Sequence, residues 1–485
     1  MSAPADGPPE SAAQIAADVR SGRRSAVEVL ETHAARTAAS DLNAIVTPLW
    51  EPARAAAKRL DALDPGERER LPLAGVPVTV KDIICVAGAP TTAGGFGWDD
   101  RAAAADASAV ASLRAAGALI VGKTNLPELA FGTVTDNARF GATANPLSTA
   151  HSPGGSSGGE AAAIAAGLSA AGLGGDFGGS IRWPAQCTGI VGLRATVGRV
   201  PGTGQVPGAG GELGDGRRPL PDLTGLQGRL QVIGPMARRV EDLRLLLSVI
   251  ARPDGIDPRV RDLPVPAPAG IERLIIGWST GASIAPVRRE VADLMAEVAG
   301  GLASLCAAVV ALPDVFAECF DRYREVRALT PNPDHFAALS HLDRVPADVL
   351  AKLIPPPGPD PDRLARAERA ADEARSAALA VFDLVDVVLL PVAPGPACDP
   401  EDGLDVDGVR VEGPNLMAHC RAVSLLGVPV VSVPVGVSAE GLPLSVQVIA
   451  APWKEHLALD VAAELEVDRD LGAAALAAAA RAARR

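Results

Sequence analysis

The sequence predicts an α/β fold with a largely buried sheet, and three observations carry that prediction. Segments with helical spacing alternate with short apolar, β-branched runs bounded by Pro and Gly. The stretch Glu160–Ala171 has almost no polar side chain, and a helix apolar on every side belongs in the centre of a large protein. Strand-like runs fall on both sides of a Pro-rich connection at Pro253–Gly270, which favours one continuous sheet over two independent units.

Taken in order, Ala12–Arg36 is Ala-rich with helical spacing, and Pro52–Leu63 repeats the pattern. Leu73–Val80, behind Pro72, is a strand that delivers Lys81. Ala105–Ala116 is a helix and Ala118–Val121 a buried strand. A Gly/Ser loop at Gly154–Gly159 leads into the apolar helix Glu160–Ala171, and a second Gly-rich loop runs over Gly174–Ser180. Gly198–Gly228 reads as a long surface loop. Leu274–Trp278, Val387–Pro391, Val428–Pro434 and Leu444–Ile449 are strands, and Pro355–Pro361 interrupts two helical stretches. The chain divides into a flexible start over 1–10, one catalytic unit over 11–470, and an Ala/Arg-rich tail over 471–485.

Composition excludes several functions. A net charge of −13 without a basic stripe gives no electrostatic support for nucleic-acid binding. The longest uncharged apolar stretches, Val298–Pro313 and Ala422–Ala439, are too short or too broken by Gly and Pro to span a bilayer. Met1–Glu10 lacks a charged region followed by an apolar one, so it is no signal peptide. Six scattered cysteines without a Cys-x-x-Cys pair predict reduced thiols and a cytoplasmic protein. Six histidines show no ligand spacing, so neither a metal nor another cofactor is expected.

Three readings compete for the glycines. Gly117–Thr124 fits the phosphate-loop pattern, but its four intervening residues are Ala-Leu-Ile-Val, which form a buried strand where a flexible loop is needed. Gly154-Gly-Ser156-Ser157-Gly158 fits the nucleophile elbow of a serine esterase, but coil precedes it where that turn needs a strand. The third reading uses Val76-Pro-Val-Thr-Val-Lys81-Asp82, the run Gly154–Gly159, and Gly174-Gly-Asp176-Phe177-Gly178-Gly179-Ser180-Ile-Arg182 together.

This third set resembles the amidase-signature family. Ser180 follows Ser156 by 24 positions, the family's own spacing. Pro90–Gly94, Gly122–Glu128, Gly189–Arg194 and Gly436–Gln447 extend the likeness from about Leu73 to the final helices. The resemblance implies a three-layer α/β/α architecture with one large mixed central sheet flanked by helices. Departures are Gly175 and Phe177, where the family favours Thr, and Arg194-Ala195, where it has Lys-Pro. None removes a proton-transfer group.

Cleaving an amide needs an activated nucleophile, donors for the oxyanion and a proton for the departing nitrogen. A lysine serves as base only when neutral. Lowering its pKa from about 10.4 to about 7 costs about 4 kcal/mol, which burial can supply. Lys81 closes an apolar strand, and Asp82 should point to the opposite face. By resemblance, Lys81, Ser156 and Ser180 are the catalytic residues, with Ser156 following a cis peptide from Gly155. Phe177, Gly178, Gly179 and Ser180 would offer backbone N–H groups to the oxyanion, and the carbonyl of Ala130 would receive the substrate N–H. Ser157, Asp176 and Arg182 would support the loop.

The expected activity is hydrolysis of a linear carboxylic amide to an acid plus ammonia or an amine. The expected partner is a small-molecule amide, with no nucleic acid and no membrane, and a homodimer is compatible with this. Alternatives are an amidotransferase-type subunit that frees ammonia for a partner, the serine esterase, and a nucleotide-binding protein using Lys123. The substrate pocket should come from 198–228, 315–365 and 395–420, which hold Phe316, Phe320, Tyr323, Phe336, Arg322 and Arg324. Both an apolar pocket and arginine recognition of an acidic substrate fit those residues.

Overall fold

The computed structural model describes residues 9–95, 102–206, 220, 221, 223, 225–330, 360–401 and 403–467. The start over 1–8, Phe336, and the tail over 471–485 lie outside them, as does most of Pro355–Pro361.

Eleven strands form one mixed sheet. They are β1 (Ile45–Pro48), β2 (Pro77–Lys81), β3 (Leu119–Thr124), β4 (Ala171–Asp176), β5 (Val191–Arg194), β6 (Val232–Ala237), β7 (Ile275–Trp278), β8 (Ala308–Ala311), β9 (Val387–Pro391), β12 (Val430–Val437) and β13 (Pro443–Ala450). A separate hairpin pairs β10 (Gly403–Val406) with β11 (Val409–Glu412). The sheet order is β1-β3-β2-β4-β6-β5-β12-β13-β9-β7-β8. Strands β3, β2 and β4 are parallel, as are β9, β7 and β8, and antiparallel pairing joins the two groups.

The helices are α1 (Ala12–Arg20), α2 (Ala26–Ala38), α3 (Trp50–Asp61), α4 (Pro65–Glu69), α5 (Ser108–Ala115), α6 (Gly158–Ala165), α7 (Arg182–Thr188), α8 (Gly225–Leu230), α9 (Val240–Ile250), α10 (Arg289–Leu302), α11 (Ala317–Leu329), α12 (Pro361–Leu379), α13 (Ala418–Ser424) and α14 (Glu455–Val467). Alternation along the central strands sorts them into two layers. Val387 and Leu389 of β9 face a core built with α1, α2, α3, α5, α9, α10 and α14. Their neighbours Val388 and Leu390 face a second core built with α8, α11, α12 and α13. Helices α6 and α7 pack through Ile164, Ala165, Ile181 and Ala185. The three-layer arrangement with a large mixed sheet is therefore present.

Four element predictions need correction. Ala12–Arg36 is two helices, because Ser25 caps a new one in a reciprocal capping box with Glu28. The apolar helix stops at Ala165, and Ala171–Asp176 is the buried strand β4. Gly174 and Gly175 are thus strand residues, paired with Gly234 and Ile233, rather than loop. An all-apolar run fits a buried strand as well as a buried helix, and glycines conceal the β signal. Within the predicted loop at 198–228, α8 begins at Gly225, while 207–219 lie outside the described residues.

Candidate active site

Lys81 ends β2, between the parallel neighbours β3 and β4. Its side chain is completely buried. Burial drives its pKa down to about 7, against the opposing pull of the Asp176 charge and, where it is ionised, of Glu160. Lys81 Nζ lies 2.7 Å from Ser156 Oγ and 3.4 Å from the Gly175 carbonyl. The neighbouring Asp82 is turned away: it pairs with Lys123 at 2.6 Å and accepts hydrogen bonds from the backbone and hydroxyl of Thr92.

Ser156 stands just ahead of α6, and the Gly155–Ser156 peptide is cis. The glycines here serve close packing. A Cβ on Gly159 would stand 2.4 Å from the Asn125 carbonyl oxygen. Ser157 ties this turn to the next one, its N–H donating to the Ser180 carbonyl at 3.2 Å and its hydroxyl to the Gly175 carbonyl at 3.3 Å.

Ser180 lies between β4 and α7. Exposure rises from 0% at Lys81 through 1% at Ser156 to 8% at Ser180, so the three are graded from interior to pocket. All three line one pocket of about 480 Å³, together with Ala130, Phe177 and Gly178. No hydrogen bond joins Ser156 Oγ to Ser180 Oγ in this structure.

The loop from Asp176 to Ser180 differs from expectation at Gly179. Its N–H donates to Asp176 Oδ1 at 2.8 Å, so it is already engaged. Phe177, Gly178 and Ser180 have N–H groups without a hydrogen-bond acceptor among the described residues. Gly179 has φ +122°, in the region that favours glycine, and a Cβ there would meet Cys420 Cβ at 2.7 Å. Asp176 also accepts from the Ile181 N–H and from Arg182. Burial alone would raise its pKa, but the Arg182 charge and these bonds hold it at about 2. Arg182 in turn donates to Cys420 O, Gln447 Oε1 and Ser424 Oγ, anchoring the loop to α13 and β13. Ala130 has φ 61° and lines the pocket, and its carbonyl accepts no hydrogen bond among the described residues.

The departures from the family pattern have local explanations. At Gly175 a Cβ would meet Gln205 Nε2 at 2.7 Å and Ile83 Cδ1 at 3.0 Å, so those side chains fill the space. The Phe177 ring packs near Tyr323 with centroids 6.1 Å apart. Arg194 is buried, with its Nε 3.7 Å from Asp176 Oδ1, and it donates to the Leu230 carbonyl.

Several site residues escaped the sequence. Glu160 of α6 is fully buried and accepts hydrogen bonds from Thr79 and Thr124. Burial raises its pKa to about 8. A lone carboxylate in an apolar helix was the signal. Arg327 and Arg421 line the pocket without any local sequence cue, whereas Arg322 pairs with Glu318 and Glu325.

The competing motifs resolve differently. Lys123 lies in strand β3 and donates to the Pro90 carbonyl and Thr91 Oγ1 at 2.7 Å each, as a structural staple. Ser156 follows coil, and no histidine hydrogen-bonds Ser156, Ser157 or Ser180 among the described residues. His151 meets Ser148 Oγ instead. Among the described residues no cluster could hold a metal, and no helix is long and apolar enough to cross a membrane.

The amidase family model matches residues 28–326 and 359–459. The chain is 33% identical to a glutamyl-tRNA(Gln) amidotransferase subunit of Synechococcus sp., over 92% of this chain and 94% of that protein. It is 32% identical to the indoleacetamide hydrolase of Bradyrhizobium diazoefficiens, over 94% of this chain and 86% of that protein. The crystal structure of a bacterial aryl acylamidase of the amidase-signature enzymes superposes with a TM-score of 0.82 at 25% identity, covering 97% of this chain and 98% of that one.

Proposed function

This chain is a member of the amidase-signature family, and from that premise we propose that it hydrolyses linear carboxylic amides through an acyl-enzyme on Ser180. One observation carries the mechanism: a buried lysine with a pKa of about 7 whose Nζ is 2.7 Å from a serine hydroxyl. Such a lysine is neutral in a large fraction of molecules near neutral pH, and its lone pair can accept the Ser156 proton.

Ser156 Oγ then takes the proton of Ser180 as Ser180 Oγ bonds to the amide carbon. The Phe177, Gly178 and Ser180 N–H groups stabilise the oxyanion. As the C–N bond breaks, Ser156 returns a proton to the leaving nitrogen and regains one from Lys81. Water repeats the sequence against the ester, releasing the acid and restoring Ser180. Ala130 O would orient the substrate N–H.

The test is a panel of amides scored for ammonia or amine release, with Ser180→Ala as control and a fluorophosphonate label to locate the nucleophile. Release that depends on Ser180, with label on Ser180, is the expected result. Turnover that survives Ser180→Ala and Lys81→Met, or label on Ser156 or Ser157, would overturn it. The likeness to an amidotransferase component supports a second reading, in which the same chemistry supplies ammonia to a partner. Ammonia release by the isolated chain separates the two.

A further inference from the structure

The pocket around Ser180 carries a charge pattern opposite to that of the whole chain. Net charge is −13, yet Arg324, Arg327 and Arg421 all line the pocket. Asp176 is its one lining carboxylate among the described residues, and it is committed to Gly179, Ile181 and Arg182. Tyr323 and Arg327 are one turn apart on α11 and so share a face, and Arg421 comes from α13.

Aromatic rings hold these guanidiniums. Arg421 lies over the Tyr323 ring, Arg327 over Phe131 and Arg324 over Phe320, each 5.6 Å from the centroid. A ring fixes a guanidinium plane without consuming its in-plane N–H donors. Arg421 Nε is buried and finds no hydrogen-bond acceptor among the described residues. Burial lowers the Arg327 pKa, Tyr323 opposes that shift, and the Arg421 charge adds to it more weakly. Arg421 and the ring beneath it are close to the reacting centre: the Tyr323 hydroxyl and Arg421 Cγ stand 2.7 and 3.2 Å from where a Cβ on Gly178 would be.

We infer that this site selects amides that carry a carboxylate a few bonds from the scissile carbonyl, with Arg421 as the principal anion-binding residue and Arg324 and Arg327 beside it. The inference rests on the reading of Ser180 as an amide-hydrolysing nucleophile. A carboxylate matches the guanidinium fork in two parallel hydrogen bonds. The apolar faces of Phe131, Phe177 and Tyr323 accept the connecting carbons.

The test compares succinamate and glutaramate with the uncharged butyramide and valeramide. The wild type should favour the anions in kcat/KM by at least about tenfold. Arg421→Met should bring that ratio to about one, mainly through KM for the anions, and Arg421→Lys should keep part of it. Arg324→Gln should lower the ratio less. A wild-type ratio of one, or a ratio untouched by Arg421→Met, overturns the inference. Calorimetric binding of the same ligands to Ser180→Ala reads the preference without turnover and guards against a misfolded arginine variant. Equal affinity for anion and neutral analogue there also overturns it. Tighter anion binding with no turnover across a broad amide panel supports this inference while counting against the hydrolase reading.

Discussion

Gly179 donates its backbone N–H to Asp176 Oδ1 at 2.8 Å, so the glycine loop is braced from inside by a buried carboxylate. That bond turns one of the four anticipated oxyanion donors into a structural tie. It also makes Asp176 the hub on which the loop, Arg182 and the base all depend.

Asp176→Asn should therefore lower kcat by about a hundredfold, the scale of a damaged oxyanion site. Asn keeps one acceptor oxygen where the carboxylate serves two N–H groups and Arg182. The Asp176 charge also raises the Lys81 pKa, so its removal lowers that pKa further. The acid limb of residual activity should move to lower pH. An unmoved limb in a pH–kcat/KM profile would show that the two groups are not coupled.

The Lys81 pKa of about 7 sets the wild-type profile. Activity needs the neutral amine, so kcat/KM should rise as pH climbs through about 7 and level off above it. The same shift acts on stability. The folded pKa of about 7 is below the ordinary 10.5, so between these values the unfolded chain binds more protons and stability rises with pH. At pH 7 the buried amine costs a few kcal/mol. Lys81→Met should abolish turnover and raise Tm at neutral pH. A fall in Tm would mean that its contact with Ser156 outweighs desolvation.

Lys123→Met should destabilise without touching the chemistry. Lys123 and Asp82 are both 0% exposed and 2.6 Å apart. Removing the lysine strands a buried carboxylate at a cost of about 3–5 kcal/mol. Denaturant unfolding should show that loss, and Asp82→Asn in the same chain should recover part of it. ATP should leave the wild-type unfolding midpoint unchanged, since Lys123 is spent on Asp82, Pro90 and Thr91.

Legibility of the sequence followed the range of each constraint. β9 was readable because its unbroken run of Val and Leu residues is buried on both faces. That Lys81, Ser156 and Ser180 would meet in one pocket was readable jointly, from the set of motifs, although each alone resembles an ordinary turn or strand end. β4 was hidden because Gly174 and Gly175 carry no β signal, and pairing with β6 makes the strand. The bracing of Arg182 by Gln447 and Ser424 spans more than two hundred residues, beyond the reach of any local pattern. Arg421 was invisible for the same reason. It joins the pocket only when α13 meets α11.

Glu160 gives the last prediction. Its carboxyl is buried between Thr79 of β2 and Thr124 of β3, and its charge would act on Lys81. Burial raises its pKa from 4.5 to about 8, so it is neutral over the range in which Lys81 must lose its proton. Between 4.5 and about 8 the unfolded chain binds fewer protons than the folded one, so this group makes stability fall as pH rises. Glu160→Gln keeps a neutral hydrogen-bonding side chain and removes that slope. It should raise stability at pH 8 more than at pH 5 and leave activity below pH 7 close to wild type. Above pH 8 the wild-type carboxylate ionises and favours protonated Lys81, which should slow the last part of the rise of kcat/KM toward its plateau. Glu160→Gln should let kcat/KM reach that plateau at lower pH, whereas a loss of activity at every pH would assign the carboxylate a packing role alone.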